Sequence, residues 1–165
     1  MPASEIHIVR ADKHHLDNLP ALLERIEAED HPNEPATAQA APVGFRASLQ
    51  HLPSLPSDWA WALIAYVDNA PAGLAVLARV PKLDARRGFL YLDELHVLES
   101  YRRCGVGTAL LEGSFALAEE LGLCGVRLLT RVDNEPARRL YEAAGFEGQE
   151  SIFYLRHLDR SRARV

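Results

Sequence analysis

Cysteine is scarce in this 165-residue chain: there are two, Cys104 and Cys124. They form no CxxC pair and suggest no disulfide framework, and two thiols fit a reducing compartment such as the cytoplasm. Long apolar runs are missing as well. None approaches the roughly 18 residues of a membrane span. The opening MPASEIHIVR lacks the basic-then-apolar order of an export signal. The expectation is a cytoplasmic protein that engages no membrane. Positive charge is in deficit, with 18 Lys and Arg against 23 Asp and Glu, a net charge of −5. That balance argues against a bulk electrostatic hold on nucleic acid. The seven histidines are scattered. His14 and His15 are adjacent, so on a helix they would point about 100° apart and share a metal poorly; no metal site is expected. Internal repeats and low-complexity segments are also missing.

What is present is the mix of an ordinary globular protein, 48% hydrophobic and 25% charged, in a length suited to one core. Residues 1–165 read as a single domain with a frayed tail at 159–165. IHIVRA (6–11) alternates and predicts a first strand. Asp12 is placed to cap a helix that runs to about Asp30, with Leu16, Leu19, Leu22, Leu23 and Ile26 on its apolar stripe. Pro20 either kinks that helix or marks the start of its regular part. Residues 31–43, with three prolines, predict a loop, and 44–52 a short helix. WALIAYV (61–67) and AGLAVLARV (72–80) flank a DNAP turn and predict an antiparallel hairpin. Lys82, Arg86 and Arg87 predict a solvated turn before a third strand at 88–98.

A helix to about Leu121 follows, with Val106, Leu110, Gly113, Leu117 and Leu121 on one stripe. CGVRLLTRV (124–132) reads as a buried strand and IFYLRHL (152–158) as a last one. Between them NEPARRLYEAAGF (134–146) is a helix marked at both ends. Asn134 can cap it, Pro136 sits in its first turn, and Gly145 suits the left-handed position after its end.

The most informative stretch is YRRCGVGTALL (101–111). Glycines just ahead of a helix leave backbone N–H groups converging on one spot, which the helix dipole makes favourable for an anion. Arg102 and Arg103 add mobile positive charge. Phosphate is the natural ligand of such a turn, and glycine would let it approach the backbone closely. Neither common nucleotide motif fits. There is no GxxxxGK[ST], and after Gly105 and Gly107 the third glycine of GxGxxG is replaced by Leu110. What remains is R-x-x-G-x-G, Arg102 to Gly107.

That pattern resembles the acyl-CoA signature of the GNAT superfamily of N-acetyltransferases. LDELHVLESYRRCGVGTALL is similar to the family's core strand, pyrophosphate loop and helix. NEPARRLYEAAGF is similar to its second motif. The resemblance implies an α/β (mixed α+β) fold: a mixed, mostly antiparallel twisted sheet with one splayed parallel strand pair, flanked by about four helices. It implies acetyl-CoA between the strands at 90–98 and 125–131. The pantetheine arm would lie on the backbone of Leu95, His96 and Val97. The pyrophosphate would lie on the amides of Arg103, Cys104, Gly105, Val106, Gly107 and Thr108, with Arg102 beside them. Asn134 would touch the cofactor's arm, and Tyr141 would protonate the departing thiolate.

The chemistry is coherent without the resemblance. A neutral amine attacking a thioester needs a base, an oxyanion site and an acid. Backbone N–H groups at a splayed strand and a tyrosine supply the last two. Asp93 and Glu94 are candidate bases; adjacent in a strand, they are expected to face opposite sides of the sheet, and Glu94 is slightly preferred.

Ordinary roles stand beside these. Tyr141 lies on the stripe Ala137, Leu140, Tyr141, Ala144 and suits a core. Asn134 suits a cap, His96 a satisfied core histidine, and Cys104 a passive loop residue. Glu27, Glu29, Asp30 and Glu34 suit a solvated helix end. The expected function is transfer of acetyl from acetyl-CoA to a primary amine of a small molecule, peptide or protein in a ternary complex. The acceptor would enter near the first helices and the loop at 27–45. The alternative is a non-catalytic acyl-CoA-binding module. Nucleic-acid binding through Arg102, Arg103, Arg138 and Arg139 is disfavoured by the acidic balance. Exposed strand edges leave room for a homodimer without specifying one.

Overall fold

A computed structural model of the chain describes residues 5–12, 15, 19–30, 59–82 and 87–156. Five strands form one sheet in sequence order: β1 (Ile6–Arg10), β2 (Ala60–Val67), β3 (Ala70–Val80), β4 (Phe89–Val97) and β5 (Val126–Leu128). The first three junctions are antiparallel, and β4 pairs parallel with β5. The described helices are α1 (Leu19–Asp30), α2 (Val106–Glu120) and α3 (Glu135–Ala143). The mixed, mostly antiparallel sheet with one parallel pair is as expected. Of the four expected helices three are described, and the one placed at 44–52 lies outside the described residues. So do the frayed tail and the whole of the loop at 31–43.

β2 runs through the middle of the sheet, which explains why WALIAYV is apolar without a break. Trp61, Leu63, Ala65 and Val67 enter one core with α2, including Leu110, Leu111 and Leu117. Ala62, Ile64 and Tyr66 enter a second core with Leu19, Leu22 and Leu23 of α1. The two helices therefore cover opposite faces. Between β2 and β3, Asp68 and Asn69 both take positive φ, 49° and 67°. That is the two-residue hairpin turn whose twist matches the strands.

The described part of α1 begins at Leu19. Ahead of it the Asp12 carbonyl accepts the His15 N–H at 3.0 Å, and the Asp12 carboxylate meets His15 Nδ1 at 2.8 Å; the helix start expected after Asp12 falls partly outside the described residues. Two local expectations need correction. The strand expected at 124–132 shrinks to Val126–Leu128. The strand expected at 152–158 does not form over its described part. Residues 151–156 have no regular secondary structure and lie outside the sheet, with Ile152 77% and Tyr154 85% exposed. An alternating pattern becomes a strand only against a ladder partner.

Candidate active site at the divergence of β4 and β5

The parallel pairing between β4 and β5 lasts three residues: Leu90 with Val126, Tyr91 with Arg127, and Leu92 with Leu128. β4 then continues from Asp93 to Val97, still paired with β3 but past the end of β5. The strands part, and the backbone of β4 lines one side of the gap. Leu95, His96 and Val97 lie on this stretch.

A bulge starts the divergence. Leu77 pairs with Leu92 but Val76 pairs with Glu94, leaving Asp93 as the extra residue. The alternation along β4 slips by one there. Leu92, Leu95 and Val97 consequently share the α2 core. Glu94 and His96 sit opposite Val76 and Leu74, which belong to the α1 core, so they take the α1 face. The expectation that Asp93 and Glu94 point to opposite faces by simple alternation does not survive the bulge. Both carboxylates are exposed.

Past β4 the chain makes one turn of 3-10 helix (Glu99–Tyr101) and enters the glycine turn. Arg102 Nε donates to the Val97 carbonyl at 3.1 Å, folding the arginine back over the strand end. Arg103 has φ 60° and Gly105 has φ 89°. An L-residue visits this left-handed region at a cost, so glycine is the natural occupant of position 105. Cys104 is exposed, and its Sγ donates to the Arg102 carbonyl at 3.5 Å. The first bond back into α2 is Ala109 N–H to the Gly105 carbonyl, 3.0 Å. Helix geometry leaves the N–H groups of Val106, Gly107 and Thr108 without an intrahelical acceptor. These amides, with the Arg102 guanidinium nearby, are a donor set that fits a diphosphate.

Gly107 also has a packing reason. A Cβ there would lie 3.0 Å from Leu140 Cδ2 and 3.7 Å from Val97 Cγ2. The missing side chain makes room for Leu140 of α3.

On α3 itself, Asn134 Oδ1 accepts the Ala137 N–H at 3.3 Å, so the capping role is present. Its amide NH₂ points to no described acceptor and keeps its donors for other partners. Ala137, Leu140, Tyr141 and Ala144 are all half-buried, the stripe read from the sequence. The Tyr141 ring meets Phe146 edge-on with centroids 5.7 Å apart. Burial pushes its hydroxyl above the usual tyrosine pKa, so it remains a protonated donor throughout the neutral range.

One participant was not legible. Glu29, near the end of α1, accepts the Glu99 N–H with both carboxylate oxygens, at 3.1 and 2.9 Å. It is not the solvated helix end expected of it. No short-range pattern links positions 70 residues apart, so nothing in the sequence could have signalled this contact.

The sequence profile of the GNAT acetyltransferase family matches residues 21–146. The chain belongs to that family. Among its relatives is an N-alpha-acetyltransferase of Sulfurisphaera tokodaii, 40% identical over 86 residues, which are 52% of this chain and 48% of that protein. Another is the chloroplastic GCN5-related N-acetyltransferase 7 of Arabidopsis thaliana, 36% identical over 72 residues, 42% of this chain and 26% of that protein. The alignments thus span half or less of these curated relatives. A solved structure of AAC(6')-Iy with a bisubstrate analogue, CoA-S-monomethyl-acetylneamine, has the same fold, with a TM-score of 0.72 at 20% identity. It covers 93% of this chain and 99% of its own. The diverging strands and the turn at 102–108 both lie inside the matched segment.

Proposed function

We propose that this GNAT protein is an acetyl-CoA-dependent N-acetyltransferase acting on a primary amine. The observation that carries the reading is the continuation of β4 past β5, directly ahead of the amide-rich turn. An extended ligand arm can lie along the former while its anionic end rests on the latter. When bound, acetyl-CoA supplies the electrophilic thioester carbon. The chain supplies the rest. Amides of Arg103 to Thr108, with Arg102, hold the diphosphate. Backbone of Leu95, His96 and Val97 orients the arm, and Asn134 adds a donor from α3. Glu94, on the α1 face, takes a proton from the incoming ammonium, with Asp93 the second candidate. The Tyr141 hydroxyl gives a proton at the sulfur. Direct transfer needs no covalent enzyme intermediate, so Cys104 has no chemical part.

The acceptor comes from the α1 side, the face that Glu94 takes. One relative is named an N-alpha-acetyltransferase and one solved structure of the same fold is an aminoglycoside N-acetyltransferase, so α-amines and aminoglycosides belong in the first screen. Two free cysteines support a cytoplasmic setting, and a homodimer would use the outer edges of β1 and β5, the end strands of the described sheet. The test is thiol release from acetyl-CoA across peptides, polyamines and aminoglycosides. Turnover with one acceptor class is expected. Tight CoA binding with no turnover on any of them would instead favour an acyl-CoA-binding module.

A further inference from the structure

Glu29 joins two parts of the molecule that the proposed reaction needs together. It stands in the last turn of α1, on the acceptor side, yet all of its described partners belong to the cofactor side. Both carboxylate oxygens accept the Glu99 N–H, the first amide of the 3-10 turn that leads into the anion-binding loop. Oε2 lies 3.6 Å from His96 Nε2 and 3.9 Å from Arg102 Nη2. The side chains of Glu29 and His96 are only 23% and 17% exposed, so this is not a screened surface pair. Arg102 is held at its other side by the Val97 carbonyl. One carboxylate thus binds an amide and lies within ion-pair distance of an imidazole and a guanidinium at the point where β4 ends.

We propose that Glu29 is a positioning residue for cofactor binding: it clamps the end of β4 and the following turn, and presents Arg102 to the diphosphate. The inference rests on the acetyl-CoA reading above. Its physical logic is pre-organisation. A turn already tied down loses less freedom when a ligand arrives. The opposing effect is repulsion between the Glu29 carboxylate and the incoming anion. Arg102 lies against that carboxylate and partly neutralises it, and the Glu99 N–H takes up lone pairs of both oxygens. Positioning therefore outweighs repulsion.

The experiment is calorimetric titration of the full chain with CoA, comparing wild type with Glu29→Ala, Glu29→Gln and, as a control on the same helix, Glu24→Ala. Wild type binds if the acetyl-CoA reading is right; if it does not, that reading and this inference both fall. Given binding by wild type, Glu29→Ala is expected to weaken CoA about tenfold, the scale of one lost charge-assisted hydrogen bond. Glu29→Gln still offers an oxygen to the Glu99 N–H but no charge to Arg102, so it should fall between wild type and Glu29→Ala. Glu24→Ala should bind as wild type does. Glu29→Gln is nearly isosteric and keeps the test open if Glu29→Ala does not fold. CoA bound equally well or more tightly by the Glu29 variants, with wild type binding, overturns the proposal while leaving the acetyl-CoA reading in place.

Discussion

Tyr141 shows how one side chain can satisfy a packing rule and a chemical one together. Its ring fills the α3 stripe against Phe146, and burial raises its hydroxyl pKa. The hydroxyl therefore stays protonated as pH climbs through the neutral range and beyond its ordinary value of about 10. If Tyr141 is the acid, Tyr141→Phe should lower kcat by about 10²–10³ and leave the Kd for CoA within about twofold. Rates measured against pH should show no loss below about pH 10 assignable to a phenol. An unchanged kcat in the Phe variant would remove Tyr141 from the chemistry. At this scale the sequence was informative about residue type but not about cause. Gly107 was read as space for a ligand; Leu140 adds a packing reason for the missing side chain. Asn134 was read as cap or ligand; the cap is there, and its free donors keep the second role open.

Elements are held in place by a few contacts that decide where the site lies. The approach of α2 to α3 depends on Gly107, because a Cβ would sit 3.0 Å from Leu140 Cδ2. Gly107→Val should therefore cost about 1–3 kcal/mol by overpacking, read as a lower midpoint in urea unfolding. A normal midpoint combined with lost CoA affinity would leave Gly107 with the ligand-facing role alone. Strands and helices with strong periodicity were readable: β2, β3, β4 and α2 fall within one or two residues of expectation. The failures share a physical origin. β5 and the segment at 151–156 carry strand-like patterns, but a strand exists only where a partner supplies its ladder. The bulge at Asp93 was equally hidden, since nothing local distinguishes an extra residue from an ordinary one. Yet that bulge sets Glu94 and His96 on the α1 face.

At the scale of the whole molecule, the sheet is closed off on one face by α2 and on the other by α1, and the edges are tied by charge. Arg10 of β1 forms a two-pronged pair with Glu120 at the end of α2, one prong at 3.1 Å from Nη1 to Oε1. The guanidinium lowers the Glu120 carboxyl pKa below its usual range. A carboxyl whose pKa is depressed on folding stabilises the fold above its unfolded pKa, and that contribution fades as pH falls through the folded value. Glu120→Gln should thus lower Tm slightly at pH 7, and the gap to wild type should close on going to pH 3. A gap that widens in acid would contradict the pairing. The pair lies at the surface, with the side chains 40% and 58% exposed, so the effect is small. The global architecture was legible because two family motifs bracket a helix and a strand of ordinary length. The acceptor side was not, since residues 31–58 carry no comparable pattern and lie outside the described structure.

The central claim is that the end of β4 and the turn behind it hold CoA. Backbone amide resonances followed by NMR during CoA titration test it most directly. The account predicts the largest changes at Leu95 to Val97, Arg103 to Thr108 and Asn134. Changes centred elsewhere, or no saturable change at millimolar CoA (about 4 kcal/mol of binding free energy), would contradict it.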